Sequence, residues 1–130
     1  PQSLAIVQAR DDCARNGRLS AEQRRTLDRL EYANELWVQR YVHCFWTRLQ
    51  LWEDTAGFNT ARIVQTFGGP RRFNEEQALP AISGCNAHAR RISAADSTLD
   101  WCYKAFVCIL RTPVGNWYRH YILDVINGNA

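Results

Sequence analysis

The chain has 130 residues, the size of one domain, and a formal net charge of +3 with its basic residues spread along the sequence. This mild, dispersed charge disfavours nucleic-acid binding, which requires a basic patch. No apolar run reaches the roughly 18 residues that a membrane span requires. We therefore expect one soluble domain, residues 1–130, that contacts neither nucleic acid nor membrane.

Helical periodicity dominates the sequence, and no segment shows the sustained two-residue alternation of a strand. The predicted helices cover, in chain order, about residues 3–14, 20–33, 34–52, 59–67, a fifth segment from 74, then 97–112 and 113–126. Ser20 and Gln23 form a capping box, and Gly68-Gly69-Pro70 predicts a helix end. Pro80 predicts a late start or a kink in the fifth segment. The predicted fold class is all-α, with six or seven short helices.

The chain has five cysteines and no zinc-type pairing of them. In so short a chain this predicts a disulfide framework with one thiol left over, and hence a secreted protein. The alternative is a cytosolic domain with five buried free thiols.

Helix geometry restricts the pairing of these cysteines. Cys102 and Cys108 lie six residues apart in one predicted helix, which separates them by about 9 Å of rise and about 120° of rotation. They cannot bond to each other, because a disulfide needs close Cα atoms and converging side chains. We predict Cys13 with Cys44 and Cys85 with Cys108, which leaves Cys102 as a buried thiol. A competing scheme pairs Cys44 with Cys102.

The third predicted helix carries a broad apolar arc. On a helical wheel the arc consists of Trp37, Val38, Tyr41, Val42, Cys44, Phe45, Leu49, Leu51 and Trp52. Arg48 falls near the centre of this arc, where an unpaired guanidinium would be costly. Either its stem packs while its head reaches water or a carboxylate, or it points into a cavity and anchors an anionic or carbonyl-bearing ligand.

The last two helices add further aromatic residues. The sixth is apolar almost all round and should be the central buried helix, with Tyr103 and Phe106 as candidate ligand contacts. In the seventh, Trp117, Tyr121 and Asp124 follow i, i+4, i+7 spacing. Either Asp124 is an exposed acid near a helix C-terminus, or it pairs with a ligand ammonium beside rings that supply cation–π contacts.

Signatures of catalysis and metal binding are missing from the sequence. It contains no nucleophile elbow, paired-carboxylate motif or phosphate loop. The three histidines are too scattered to predict a metal site. We expect a binding protein without enzyme activity, metal or cofactor.

Three elements carry a resemblance to a known family: HCFWTRLQLWEDTAGFN (43–59), Cys85 at the end of its helix, and WCYKAFVCILRTPVGNWYRHYILDVI (101–126). They resemble the insect odorant-binding fold, and especially the salivary "D-seven" proteins of blood-feeding flies with their amine-binding domains. The resemblance covers roughly residues 9–127. It implies a secreted helical domain around an apolar cavity that sequesters biogenic amines or eicosanoids, with antihaemostatic and anti-inflammatory effect.

The sequence departs from that family at several positions. Arg48 stands where typical members carry a second cysteine, and cysteines found in many salivary members are absent, so at most two bridges are expected. The amine-binding acids of the family align with Leu123 and Ile126, and Asp124 lies one position after the first of these. Recognition of a serotonin-type amine is therefore not carried over directly.

These observations define a candidate site and two alternative functions. The candidate ligand-binding residues are Trp37, Tyr41, Phe45, Arg48, Trp52, Tyr103, Phe106, Trp117, Tyr121 and Asp124. We expect a monomer that binds a small hydrophobic or amine ligand. One alternative is an odorant or pheromone carrier. The other is a protein-binding anticoagulant that uses the arginines Arg18, Arg24, Arg25, Arg29, Arg71, Arg72, Arg90 and Arg91.

Overall fold

The computed structural model describes residues 2–68 and 74–128. Within them the α-helices are α1 (Gln2–Asn16), α2 (Ala21–Asp28), α3 (Leu36–Arg48), α4 (Thr60–Ile63), α5 (Glu75–Ile92), α6 (Thr98–Leu110) and α7 (Pro113–Ile126). A π-helical turn, Val64–Gly68, continues α4. Two short strands, β1 (Trp52–Glu53) and β2 (Gly57–Phe58), pair antiparallel between α3 and α4. The predicted all-α fold class is confirmed.

The helix N-termini that the sequence predicted at Ser20, Asn59 and Asn74 are capped by these side chains in the structure. The Ser20 hydroxyl accepts from the Gln23 N–H while the Gln23 side chain accepts from the Ser20 N–H, which completes the capping box of α2. Asn59 and Asn74 cap α4 and α5 through their side-chain oxygens. Gly69 and Pro70, which were predicted to end the fourth helix, lie outside the described residues.

Two helices end earlier than predicted because a residue with positive φ follows each of them. Leu30 has a φ of 58° and α2 ends at Asp28, not near residue 33. Gln50 has a φ of 60° and α3 ends at Arg48, not near residue 52. Such values are uncommon for residues with a Cβ and cannot continue a right-handed helix. Trp52 consequently leaves the helix and joins the β1–β2 hairpin.

Pro80 is accommodated inside α5. The helix starts at Glu75, five residues earlier, so the prediction of a late start is wrong. Proline removes one helical hydrogen bond, here the one to the carbonyl of Glu76. Both Pro80 and Glu76 are exposed, so water can replace the missing partner.

Helix α6 is the central element of the core, as predicted. It packs against α5, α3 and α7. Its buried side chains include Trp101, Cys102, Tyr103, Phe106 and Ile109. A helix that is buried on most of its circumference fixes the position of every neighbouring element.

The structure contains two disulfides. Cys13 of α1 is joined to Cys44 of α3, with Cα atoms 5.8 Å apart, and Cys85 of α5 to Cys108 of α6, with Cα atoms 5.6 Å apart. Cys102 carries a free thiol that is fully buried, and this burial raises its pKa. These are the pairs that we predicted, not the competing pairing of Cys44 with Cys102. Together they link α1 to α3 and α5 to α6.

Asp100 organises the connection between α5 and α6. Its Oδ2 accepts from the Ala94 N–H at 2.7 Å and lies 2.9 Å from Lys104 Nζ. Burial alone would raise the pKa of this carboxyl, but the hydrogen bonds from Lys104 and Ala94 outweigh it and hold the pKa below its ordinary value. The ionised form is therefore the one that stabilises the fold.

This ionisation predicts a loss of stability in acid. Because the folded pKa of Asp100 lies below the unfolded value of about 4, its contribution is fully present above about pH 4 and is lost as the pH falls through the folded pKa. Urea unfolding between pH 2 and 6 should show a falling free energy of unfolding below pH 4, with a shallower fall in Asp100→Asn. Asp124→Asn changes an exposed carboxylate, and its free energy of unfolding should fall with decreasing pH as steeply as that of the wild type. Equal slopes in the wild type and Asp100→Asn would contradict the prediction.

Candidate functional site

A small cavity lies between α3, the hairpin, the α4 region, α5, α6 and α7. The side chains around this ring-lined cavity are apolar or aromatic: Trp46, Phe58, Ile63, Phe67, Ile82, Phe106, Ile109, Leu110, Val114, Trp117 and Tyr118. Its volume is about 20 Å³, which is room for about one water molecule. A larger ligand can enter only if lining side chains change position.

Trp46 is the aromatic centre of the ring-lined cavity. Its ring centroid lies 5.4 Å from that of Phe58, 5.8 Å from Phe67, 5.7 Å from Phe106 and 5.6 Å from Tyr118. Edge-to-face and tilted pairs at such distances are favourable beyond the area they bury. These contacts join α3, the hairpin, the π-helical turn, α6 and α7 around one side chain.

A second set of rings extends from the cavity along α7. Phe67 of the π-helical turn lies 5.8 Å from Trp117 and 5.6 Å from Tyr121, and these two rings stack on each other at 5.2 Å. Of the ligand-binding residues predicted from the sequence, Phe106 and Trp117 line the cavity directly. Tyr121 does not line it but contacts the rings of Phe67 and Trp117, which do. The spacing of Trp117 and Tyr121 predicted this stripe.

Several wall residues were missed by the sequence analysis. Phe58 comes from a two-residue strand, which has no periodic signal, and Phe67 comes from the π-helical turn that continues α4. Trp46 and Tyr118 did have a periodic signal: Trp46 follows the apolar Val42 by four residues, the spacing of one helix face. That spacing could have identified Trp46.

Four other candidates form the core around the cavity. Phe45 stacks on Tyr41 at 6.2 Å. Trp52 packs on Phe58 and donates its N–H to Asp54 at 2.8 Å, and Tyr103 donates its hydroxyl to the Tyr32 carbonyl at 2.6 Å. None of these four, Tyr41, Phe45, Trp52 and Tyr103, is among the cavity-lining residues.

Trp37 also lies away from the cavity. It lines a surface pocket beside the Cys13–Cys44 disulfide. Its indole N–H donates to the Glu35 carboxylate at 3.1 Å. This side chain therefore covers the disulfide between α1 and α3 and does not contact the central space.

The two predicted polar anchors also lie outside the cavity. Arg48 is 44% exposed, and its Nη1 lies 3.2 Å from Asp12 Oδ2 on α1. Asp124 is exposed on α7. The prediction that Arg48 points into a cavity is corrected, since Arg48 is the last residue of α3 and its head pairs with a carboxylate at the surface. Of the two interpretations of Asp124, an exposed acid near a helix C-terminus is the one that agrees with its position on α7.

A larger, open space lies on the other side of the fold, between α1, α2, α3 and α7. This charged groove has a volume of about 300 Å³ and is lined by Val7, Arg10, Asp11, Ala14, Arg24, Leu27, Asp28, Tyr41, Val125 and Ile126. Arg10 pairs with Asp28 at 2.6 Å and Arg24 with Asp11 at 3.3 Å. The groove thus offers both signs of charge next to apolar side chains.

Buried phenols connect the two spaces. Tyr118 lines the ring-lined cavity, Tyr41 lines the charged groove, and Tyr32 interacts electrostatically with both phenols. Burial raises the pKa of all three tyrosines. They stay neutral at physiological pH and add no charge to the cavity wall.

The arginines proposed for protein binding are mostly engaged. Arg25 lies 2.8 Å from Glu22 and Arg29 lies 2.8 Å from Glu31, and Arg90 stacks on the Trp101 ring at 4.2 Å. Arg71 and Arg72 lie outside the described residues. The pairs around α2 cancel much of the positive charge that the sequence suggested.

Comparison with known proteins places the chain in a family. The model of the PBP/GOBP family matches residues 1–112. General odorant-binding protein 99a of Drosophila melanogaster is 22% identical over 102 residues, which covers 78% of this chain and 70% of that protein. None of the helices in the described part of the chain has the length and apolarity needed to cross a membrane. The family match covers most of the chain, and the chain therefore belongs to the PBP/GOBP family, the superfamily of insect odorant-binding proteins.

Proposed function

We propose that this protein is a secreted carrier that holds a small, neutral, apolar molecule in the ring-lined cavity. The observation that supports this function is a cavity wall built of apolar and aromatic side chains, with no charged group among the described residues that line it. Proteins of this family bind small hydrophobic ligands and are typically secreted. Two disulfides suit an oxidising compartment.

The placement of charge favours a neutral ligand. Moving an ion from water into an apolar space is costly unless a counter-charge meets it there. Arg48 and Asp124, the proposed counter-charges, are directed to the surface. An odorant-like or pheromone-like molecule therefore suits the ring-lined cavity better than an ammonium or a carboxylate does.

A matched pair of isoleucine substitutions tests the location of this ligand. Ile109 lines the ring-lined cavity and Ile126 lines the charged groove. Because phenylalanine at 109 occupies space that the ligand needs, we expect Ile109→Phe to weaken binding about tenfold or more. Ile126→Phe should leave affinity unchanged. The measurement is displacement of the fluorescent probe N-phenylnaphthylamine by neutral aromatic and aliphatic compounds.

Two results of that experiment would contradict the proposed location of the ligand. One is equal affinity of the wild type and Ile109→Phe, provided that circular dichroism shows both to be folded. The other is a loss of affinity in Ile126→Phe alone, which would move the ligand to the charged groove. Absence of binding by every compound would remove the carrier function.

The second candidate function is salivary sequestration of host biogenic amines or eicosanoids. The observation that favours it is the charged groove, where Asp28 or Arg10 could pair with a ligand ammonium or carboxylate beside apolar contacts. Calorimetry with serotonin, norepinephrine, a leukotriene and a thromboxane analogue tests it. This function predicts binding that Ile126→Phe weakens and Ile109→Phe does not. Flat traces for all four ligands would exclude it.

The anticoagulant alternative has less support. It requires a basic surface, and the ion pairs of Arg24, Arg25 and Arg29 with carboxylates reduce the charge that α2 presents. An unchanged clotting time at micromolar protein would exclude it.

A further inference from the structure

The indole N–H of Trp46 is a buried donor that has no acceptor among the described residues. Trp46 is 4% exposed. Among the side chains that the structure describes, its Nε1 is the one buried nitrogen or oxygen with no hydrogen-bond partner. Buried polar groups in native proteins are almost always hydrogen-bonded, so this exception needs an explanation.

The described side chains around Trp46 supply no partner for this donor. Its ring is surrounded by the rings of Phe58, Phe67, Phe106 and Tyr118. The one hydroxyl among these four neighbours is that of Tyr118, and Trp46 Nε1 forms no hydrogen bond with it. Three other indoles differ in this respect, since Trp37, Trp52 and Trp101 each donate to an oxygen.

A ligand in the ring-lined cavity could provide the missing acceptor. Trp46 belongs to the cavity wall, and the present volume of about 20 Å³ means that a ligand must displace neighbouring rings. A ligand that widens the cavity beside Trp46 would bring its own atoms against the indole. One oxygen on that ligand would then satisfy the N–H.

We propose that the Trp46 N–H is the polar anchor of the ring-lined cavity and that it selects neutral ligands with one hydrogen-bond acceptor, such as a carbonyl, hydroxyl or ether oxygen, on an apolar ring or chain. This inference rests on the proposed carrier function. A carboxylate is disfavoured because a single N–H cannot compensate the desolvation of a full charge.

A pair of ligands with matched shape tests the anchor. Methyl naphthyl ketone carries a carbonyl oxygen where isopropylnaphthalene carries a methyl group. Ketones are better hydrated than hydrocarbons, so the informative quantity is the ketone-to-hydrocarbon affinity ratio, compared between the wild type and Trp46→Phe. Because the N–H is unpaired until the ketone binds, this ratio should be about tenfold larger in the wild type. Trp37→Phe, which removes an indole with a protein partner, should keep the wild-type ratio.

A second measurement uses the wild-type protein, so it does not depend on the folding of a variant. In a nitrogen–proton correlation spectrum, the Trp46 indole signal should move downfield with the ketone and much less with the hydrocarbon. Assignment comes from through-space contacts between the Trp46 indole proton and the surrounding rings in the wild type.

The outcomes separate the anchor from the carrier function. The claim that the Trp46 N–H is the anchor would be contradicted by an equal affinity ratio in the wild type and Trp46→Phe. It would also be contradicted by an indole signal that responds alike to both ligands. The proposed carrier function would stand in either case. Failure of both ligands to bind would count against the carrier function itself.

Discussion

Replacing Gly115 with alanine is expected to lower the free energy of unfolding by about 3 kcal/mol or more. A Cβ at this position would lie 2.1 Å from the carbonyl oxygen and 2.5 Å from the carbonyl carbon of Leu110. These are backbone atoms at the end of α6, so relief requires α6 and α7 to move apart. Both helices contribute to the ring-lined cavity, so ligand affinity should fall as well.

Gly84→Ala is the matched control for this substitution. Gly84 is exposed on α5, and a Cβ there would meet no heavy atom within 4 Å. Alanine in an exposed helix position should stabilise by about 0.5–1 kcal/mol. Urea unfolding of both variants measures the difference. If Gly115→Ala were as stable as the wild type, the close packing at the α6–α7 corner would be wrong.

Removing the Cys13–Cys44 disulfide by double substitution with alanine is expected to cost about 3–4 kcal/mol. The bridge joins residues separated by 31 positions, and the loop-closure entropy that it removes from the unfolded chain grows with that separation. The Cys85–Cys108 bridge closes a separation of 23, so its removal should cost slightly less. Guanidinium unfolding under non-reducing conditions gives both values.

Cys102→Ala provides the comparison for the disulfide variants. It removes a buried sulfur that forms no bridge, and a loss of about 1 kcal/mol is expected from the lost packing. Thiol labelling of the unfolded, unreduced wild type should detect one thiol. Three labelled thiols, or a double variant no less stable than Cys102→Ala, would contradict the assigned pairs.

The sequence predicted the elements whose signals are local and repeated. Helical periodicity gave the all-α class, side-chain caps located helix starts such as that at Ser20, and the nearly all-apolar character of α6 identified the central helix. For the cysteines, helix geometry excluded a bond between Cys102 and Cys108 but left two pairing schemes open, because it does not say which cysteine on another helix each one meets.

The sequence failed where the chain leaves regular helix. A helical wheel assigns a direction only while the helix continues, and the positive φ of Gln50 ends α3 beyond Arg48. At that end no further turn covers the side chain, so Arg48 reaches Asp12 and water. Phe58 was missed for the same reason, since a short hairpin brings it to the cavity without periodicity.

The most direct test of the central claim is a crystal structure of the protein with methyl naphthyl ketone bound. We expect ligand density in a widened ring-lined cavity, among Trp46, Phe67 and Phe106, with the Ile109 side chain in contact. Ligand density in the charged groove, beside an unchanged and empty ring-lined cavity, would contradict the claim that this cavity is the binding site.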